Sequence, residues 1–249
     1  MTISDCCIKG FSWQGTPTGR IDKLAGNDVY ISGDNAEVAI LFISDLFGWK
    51  FPNVRLLADH FAREVGATVY VPDFFGGEVL DVDLIAAEKF DQLDLPGFLQ
   101  RNGREQRESE IFDCARTLRQ QHGYRKVGAV GYCYGGWASL RLGAKEHAAA
   151  PLVDCISVGH PSLVKKSDIA ELNVPVQVLA PEIDPAFSPE LKLYTFETLQ
   201  QLNIPFDYQN FPGVVHACFI RGDENKPGER AAMERGKNAA VGWLRQFLN

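Results

Sequence analysis

The chain of 249 residues has no apolar run long enough to cross a bilayer, so no membrane partner is expected. Basic side chains are the minority, 25 lysines and arginines against 32 aspartates and glutamates, and they do not cluster. Nucleic acid is therefore not an expected partner. The six cysteines have neither the density nor the repeated spacing of a disulfide scaffold, and adjacent Cys6 and Cys7 could bridge each other only under strain. Reduced thiols are expected. Converging metal ligands are scarce too, the one close pairing being His216 with Cys218, so no structural zinc is expected. The opening MTISDCCIKGF lacks the basic patch and apolar core of a secretory leader, which leaves the cytoplasm as the expected compartment. Repeats, heptads and low-complexity tracts are absent as well.

What is present is an alternation. EVAILFI (37–43) is a short β-branched apolar run between turn residues and reads as a buried strand. Residues 53–66 carry Val54, Leu57, Ala58 and Phe61 at helical spacing behind Pro52, with Gly66 as the stop. ATVYVPD follows as a second strand, so the order suggests a right-handed parallel crossover. Further strands are expected at 126–131, 153–158, 174–180 and 206–211, with helices at 104–121, 134–147, 188–202 and 228–247. This pattern predicts one α/β domain over residues 1–249, a mostly parallel sheet of about seven or eight strands covered on both faces. Residues 75–103 break the rhythm and are expected to be a variable excursion over the carboxyl edge of the sheet, either an active-site cover or a plain connection.

The run GYCYGGW (131–137) falls where a strand hands over to a helix. A nucleophile elbow turns so sharply that side chains two positions before and after its centre would collide with neighbouring backbone, and Gly131 and Gly135 meet that demand. The central side chain, Cys133, would then stand over the carboxyl edge of the sheet. There the Tyr134 N–H and the helix N-terminus favour thiolate over thiol. The plain alternative is a buried packing cysteine.

A thiol nucleophile needs a base and an orienting acid, which in this architecture follow in the order acid, then histidine. His216, in FPGVVHACF after the last long strand, is the expected base. His60, His122 and His147 lie in or at the ends of helices and read as surface or capping residues. His160, in SVGHPS, follows a strand and could line the pocket. Asp184 in PEIDP is the best placed acid, with Glu182 a near competitor and helix capping the alternative role. A second oxyanion donor is expected from the loop ISDLFGW, through the Leu46 N–H. Asp45 beside it could accept a hydrogen bond from the resting thiol or could cap the turn. Trp49, Phe74, Phe75, Trp137 and Phe187 are candidates for apolar pocket walls, or equally for core.

Taken together, CCIKGFSWQGTPTG, VYVPDFFGG, GYCYGG and FPGVVHACFIR make the chain resemble the dienelactone hydrolase family of the α/β-hydrolase superfamily, in the branch common in fungi and other eukaryotes. The resemblance spans essentially the whole chain. It implies an α/β-hydrolase fold and a Cys133, His216, Asp184 triad that opens lactones or cleaves esters through an acyl-thioester, without metal or cofactor. Bacterial members of that family place a glutamate beside the resting cysteine, where this chain has Asp45. Family enzymes bind a substrate carboxylate with arginines, and Arg221 resembles one of these, with an ordinary solvent arginine as the alternative.

The expected substrate is a small lactone or activated ester, since a thiol attacks such carbonyls more readily than amides. Other functions remain within reach of this fold: lactonisation, cyclisation or acyl transfer in secondary metabolism, or small-molecule binding without catalysis. Monomer and homodimer are both compatible with the sequence.

Overall fold

A computed structural model describes residues 13–80, 84 and 92–249. The opening CCIKGF lies outside the described residues. Eight strands form one sheet: β1 Arg20–Leu24, β2 Asn27–Ser32, β3 Val38–Ile43, β4 Thr68–Pro72, β5 Lys126–Tyr132, β6 Cys155–Gly159, β7 Val176–Ile183 and β8 Phe206–Val215. Their spatial order is β1-β2-β4-β3-β5-β6-β7-β8, an α/β-hydrolase arrangement. The first two strands are antiparallel to their neighbours, and the other six run parallel.

The middle of the sheet explains its own burial. Every residue of β3 is buried, and the pleat sends alternate side chains to opposite faces. Ala39, Leu41 and Ile43 join one core layer, with Ile111, Ala115 and Leu118. Val38, Ile40 and Phe42 join the other, with Val54, Leu57, Phe61, Val241 and Leu244. Helices therefore cover both faces. In chain order they are α1 Pro52–Phe61, α2 Leu95–Asn102, α3 Arg104–Gln120, α4 Gly135–Leu142, α5 Lys166–Ala170, α6 Pro189–Gln201, α7 Cys218–Arg221 and α8 Pro227–Leu248. No helix among the described residues is long and apolar enough to cross a membrane.

Several boundaries differ from expectation for identifiable reasons. The helix expected at 53–66 changes to a π turn over Ala62–Gly66, where Gly66 ends it at φ +76°. The helix expected at 134–147 stops at Leu142, and a single 3₁₀ turn, Lys145–His147, follows. The hairpin β1–β2 was not expected. Its two-residue turn, Ala25 and Gly26, has positive φ at both positions, the geometry that matches strand twist. β7 and β8 also run further than expected, pairing as far as Ile183 and Val215 after an irregularity between Pro181 and Ile183.

The register aligns strand ends. Ile43 pairs with Gly131, and Tyr132 pairs with Gly159, so the loops after β3, β5 and β6 leave the sheet at one level. The ends of β7 and β8 bring Asp184 and His216 to the same carboxyl edge. Within the excursion at 75–103, α2 begins at a cap in which Asp94 accepts from the Gly97 N–H at 3.0 Å.

Candidate active site

Cys133 sits between β5 and α4 in the left-handed region, at φ +50°. Such a conformation costs a non-glycine residue about 1 kcal/mol or more, so its surroundings must hold it. They do so through the backbone. The Cys133 N–H donates to Gly159 O at 3.2 Å, and its carbonyl accepts from Gly136 N at 3.0 Å and Ser162 N at 2.9 Å. A Cβ on Gly131 would lie 2.1 Å from Gly135 O, and one on Gly135 would lie 2.1 Å from Ile43 O. Gly136 is equally constrained, since its Cβ would meet Pro161 at 2.3 Å. The steric demand read from GYCYGG is met by named atoms.

At the ends of β7 and β8, His216 Nδ1 donates to Asp184 Oδ1 at 2.8 Å, with both side chains fully buried. A carboxylate only accepts, so the proton belongs on Nδ1, which leaves the lone pair on Nε2. The same Asp184 oxygen accepts from Ala186 N and Phe187 N at 2.9 Å each. Contact with the histidine and capping of the turn thus share one carboxylate oxygen. The backbone adds a further tie, since His216 N donates to Ile183 O at 2.9 Å. Glu182 is committed elsewhere, accepting from Gly213 N at 2.7 Å.

The loop after β3 holds a second buried pair. Asp45 Oδ2 lies 2.6 Å from Arg221 Nε, neither side chain exposed, and the guanidinium stands 4.2 Å from the Phe47 ring centroid. Asp45 Oδ1 accepts from Phe47 N at 3.1 Å. Burial pushes the Asp45 carboxyl above the usual range, against the pull of Arg221. Arg221 is accordingly not a solvent arginine. The polar contact of the Cys133 sulfur is Ser162 Oγ at 3.5 Å, a residue not singled out in the sequence. Phe47 was also missed. Its position under Arg221 depends on a contact between distant parts of the chain.

Between strand ends and helix, the N–H groups of Leu46 and Tyr134 have no hydrogen-bond acceptor among the described residues. The Tyr134 side chain donates through its hydroxyl to Asn102 O at 2.7 Å and packs 5.0 Å from the Phe75 ring. The end of the 75–103 excursion is therefore fastened to the elbow.

His160 is fully buried at φ +38°, its ring 4.9 Å from His216, 5.4 Å from Phe219 and 5.5 Å from Tyr132. Neither ring nitrogen has a hydrogen-bond partner among the described residues. Burial, with the nearby His216 and Arg221, holds its pKa well below the usual histidine value.

The aromatic candidates are spread over both layers. Trp49 packs in the α1 and α8 layer with the Arg55 guanidinium 4.9 Å from its ring, while Phe74, Trp137 and Phe187 belong to the opposite layer. Trp137 carries Arg104 at 4.9 Å and meets Tyr134 edge-on. The other described cysteines are buried, and burial pushes the Cys114 and Cys155 thiols up to about 12 and the Cys218 thiol higher than its ordinary value.

Comparison with known proteins agrees with this architecture. Hydrolase pyvD of Aspergillus violaceofuscus is 32% identical over 248 residues, 98% of this chain and 97% of that protein. Hydrolase tropI of Talaromyces stipitatus is 29% identical over 254 residues, covering 98% and 96% of the two chains. The crystal structure of dienelactone hydrolase from Anabaena variabilis shares the fold at a TM-score of 0.66 and 16% identity, over 93% of this chain and 98% of that one. The dienelactone hydrolase family profile matches residues 28–248, from within β2 to the end of α8, and the protein is an enzyme that belongs to the dienelactone hydrolase family.

Proposed function

We propose that this hydrolase opens small lactones or cleaves activated esters with Cys133 as nucleophile, His216 as base and Asp184 as the orienting acid. The observation that carries the reading is the buried contact of 2.8 Å between His216 Nδ1 and Asp184 Oδ1, at the same sheet edge as the strained elbow cysteine. Asp184 selects the tautomer whose Nε2 can take the thiol proton, and it offsets the imidazolium charge that results.

Attack by the Cys133 sulfur makes a C–S bond while the carbonyl electron pair moves to oxygen. The Leu46 and Tyr134 N–H groups are suited to receive that oxyanion, being without other acceptors among the described residues. Collapse breaks the C–O bond of the ester or ring, and the imidazolium returns its proton to the departing alkoxide. His216 then deprotonates a water that attacks the thioester, releasing the acid and restoring the thiol. In this reading the Asp45–Arg221 pair fixes the loop that carries Leu46, because one carboxylate holds both the guanidinium and the next N–H but one.

The substrate class follows from the nucleophile and from the family. A thioester forms readily from an activated ester or strained lactone and poorly from an amide. Cys133→Ala is expected to lower hydrolysis of an aryl ester, followed by phenolate absorbance, to the uncatalysed rate with the circular dichroism spectrum retained. Turnover equal to that of the unaltered enzyme would remove Cys133 from the mechanism.

A further inference from the structure

We infer that Ser162 is a positioning residue for the Cys133 sulfur: its hydroxyl holds the resting thiol and donates to the sulfur once the thiolate has formed. The inference rests on Cys133 being the nucleophile. Ser162 Oγ lies 3.5 Å from Cys133 Sγ, and Ser162 is only 1% exposed. The sulfur is the hydroxyl's one hydrogen-bond partner among the described residues. A buried hydroxyl in that position has nowhere better to send its hydrogen, and an O–H bonded to an anionic sulfur is much stronger than one bonded to a neutral thiol. The contact therefore favours the charged form. His216 removes the thiol proton while Ser162 keeps its own and only rotates its O–H toward the sulfur.

The backbone makes this placement rigid. Ser162 N donates to Cys133 O at 2.9 Å, so the serine is tied to the cysteine through main chain as well as side chain. Pro161 presses against Gly136, whose missing Cβ leaves the room, and the reverse bond from Cys133 N to Gly159 O closes the arrangement. On either side of this contact the chain takes up positive φ, at His160, +38°, and at Leu163, +57°. Two strained residues flank the two that touch the elbow, as expected where local geometry serves a site. Asp45 faces Arg221, with Oδ2 2.6 Å from Arg221 Nε and Oδ1 accepting from Phe47 N.

The test is the pH dependence of iodoacetamide labelling at Cys133, read by mass spectrometry of its peptide from about pH 5 to about pH 10. Cys114 and Cys155 are as fully buried as Cys133, and their thiols, pushed up to about 12, serve as slow internal references. Ser162→Ala is expected to slow labelling about tenfold near neutral pH, equivalent to about 1.4 kcal/mol, with little loss at the alkaline end. Ser162→Thr, which keeps the hydroxyl, is expected to restore it to within about twofold. A Ser162→Ala profile that superimposes on that of the unaltered enzyme, or that falls equally at every pH, would overturn the inference. If alanine disturbs the fold, the threonine variant decides: a folded protein with alanine-like labelling overturns the assignment. Labelling requires no substrate, so loss of the hydrolase mechanism in the Cys133→Ala assay and loss of the Ser162 role are separate results.

Discussion

Asp184 Oδ1 receives three donors, the His216 Nδ1–H and the N–H groups of Ala186 and Phe187. Asparagine has the same shape, yet its amide can present nitrogen to the imidazole and so favour the wrong tautomer. Asp184→Asn is expected to lower kcat about 10³ to 10⁴-fold with a modest change in KM, measured on an aryl ester. A loss in KM alone would point to substrate binding instead. That Asp184 and His216 would meet was legible in the sequence, because a strand end, a chain order and few histidines left little choice. Ser162 was not, although it lies in SVGHPS with His160. Nothing within that segment reveals that its serine meets a sulfur in the turn after β5, and the same holds for Asp45 with Arg221.

At the scale of elements, the elbow was readable because its requirement is steric and local. A Cβ on Gly135 would stand 2.1 Å from Ile43 O, and backbone cannot step aside as a flexible side chain can. Gly135→Ala is expected to destabilise the fold by about 3 kcal/mol or more, read as a lower urea midpoint. A change below about 0.5 kcal/mol would mean that β3 and α4 separate more easily than their packing implies. The β1–β2 hairpin was hidden for the opposite reason. Its turn places alanine at φ +49°, where asparagine, aspartate or glycine gives the usual signal. The central strands were recognisable as apolar runs, but the extension of β8 past Pro212 was not, since proline argues against a continuing ladder.

For the whole molecule, the buried neutral His160 links stability to pH. Its native pKa is lowered, so below the ordinary value near 6.5 the unfolded chain binds a proton that the folded chain refuses. Stability contributed this way is complete above about pH 6.5 and declines as pH falls. Between about pH 7.5 and about pH 5.5, the unaltered protein is expected to lose more stability than His160→Phe, by urea unfolding at each pH. Equal losses would show that His160 is protonated in the folded state. Fold class, sheet and layer order followed from alternation along the sequence, whereas this linkage depends on which rings enclose the histidine.

The last rung of the sheet, Ile183 against Val215, has an implication for insertions and deletions. Asp184 and His216 each stand one residue past it, and a strand's side chains change sides with every step. Removing one residue from the extension of β8 would keep the chain connected while throwing the imidazole out of phase with its acid. Here the count of residues sets whether the pair can meet at all.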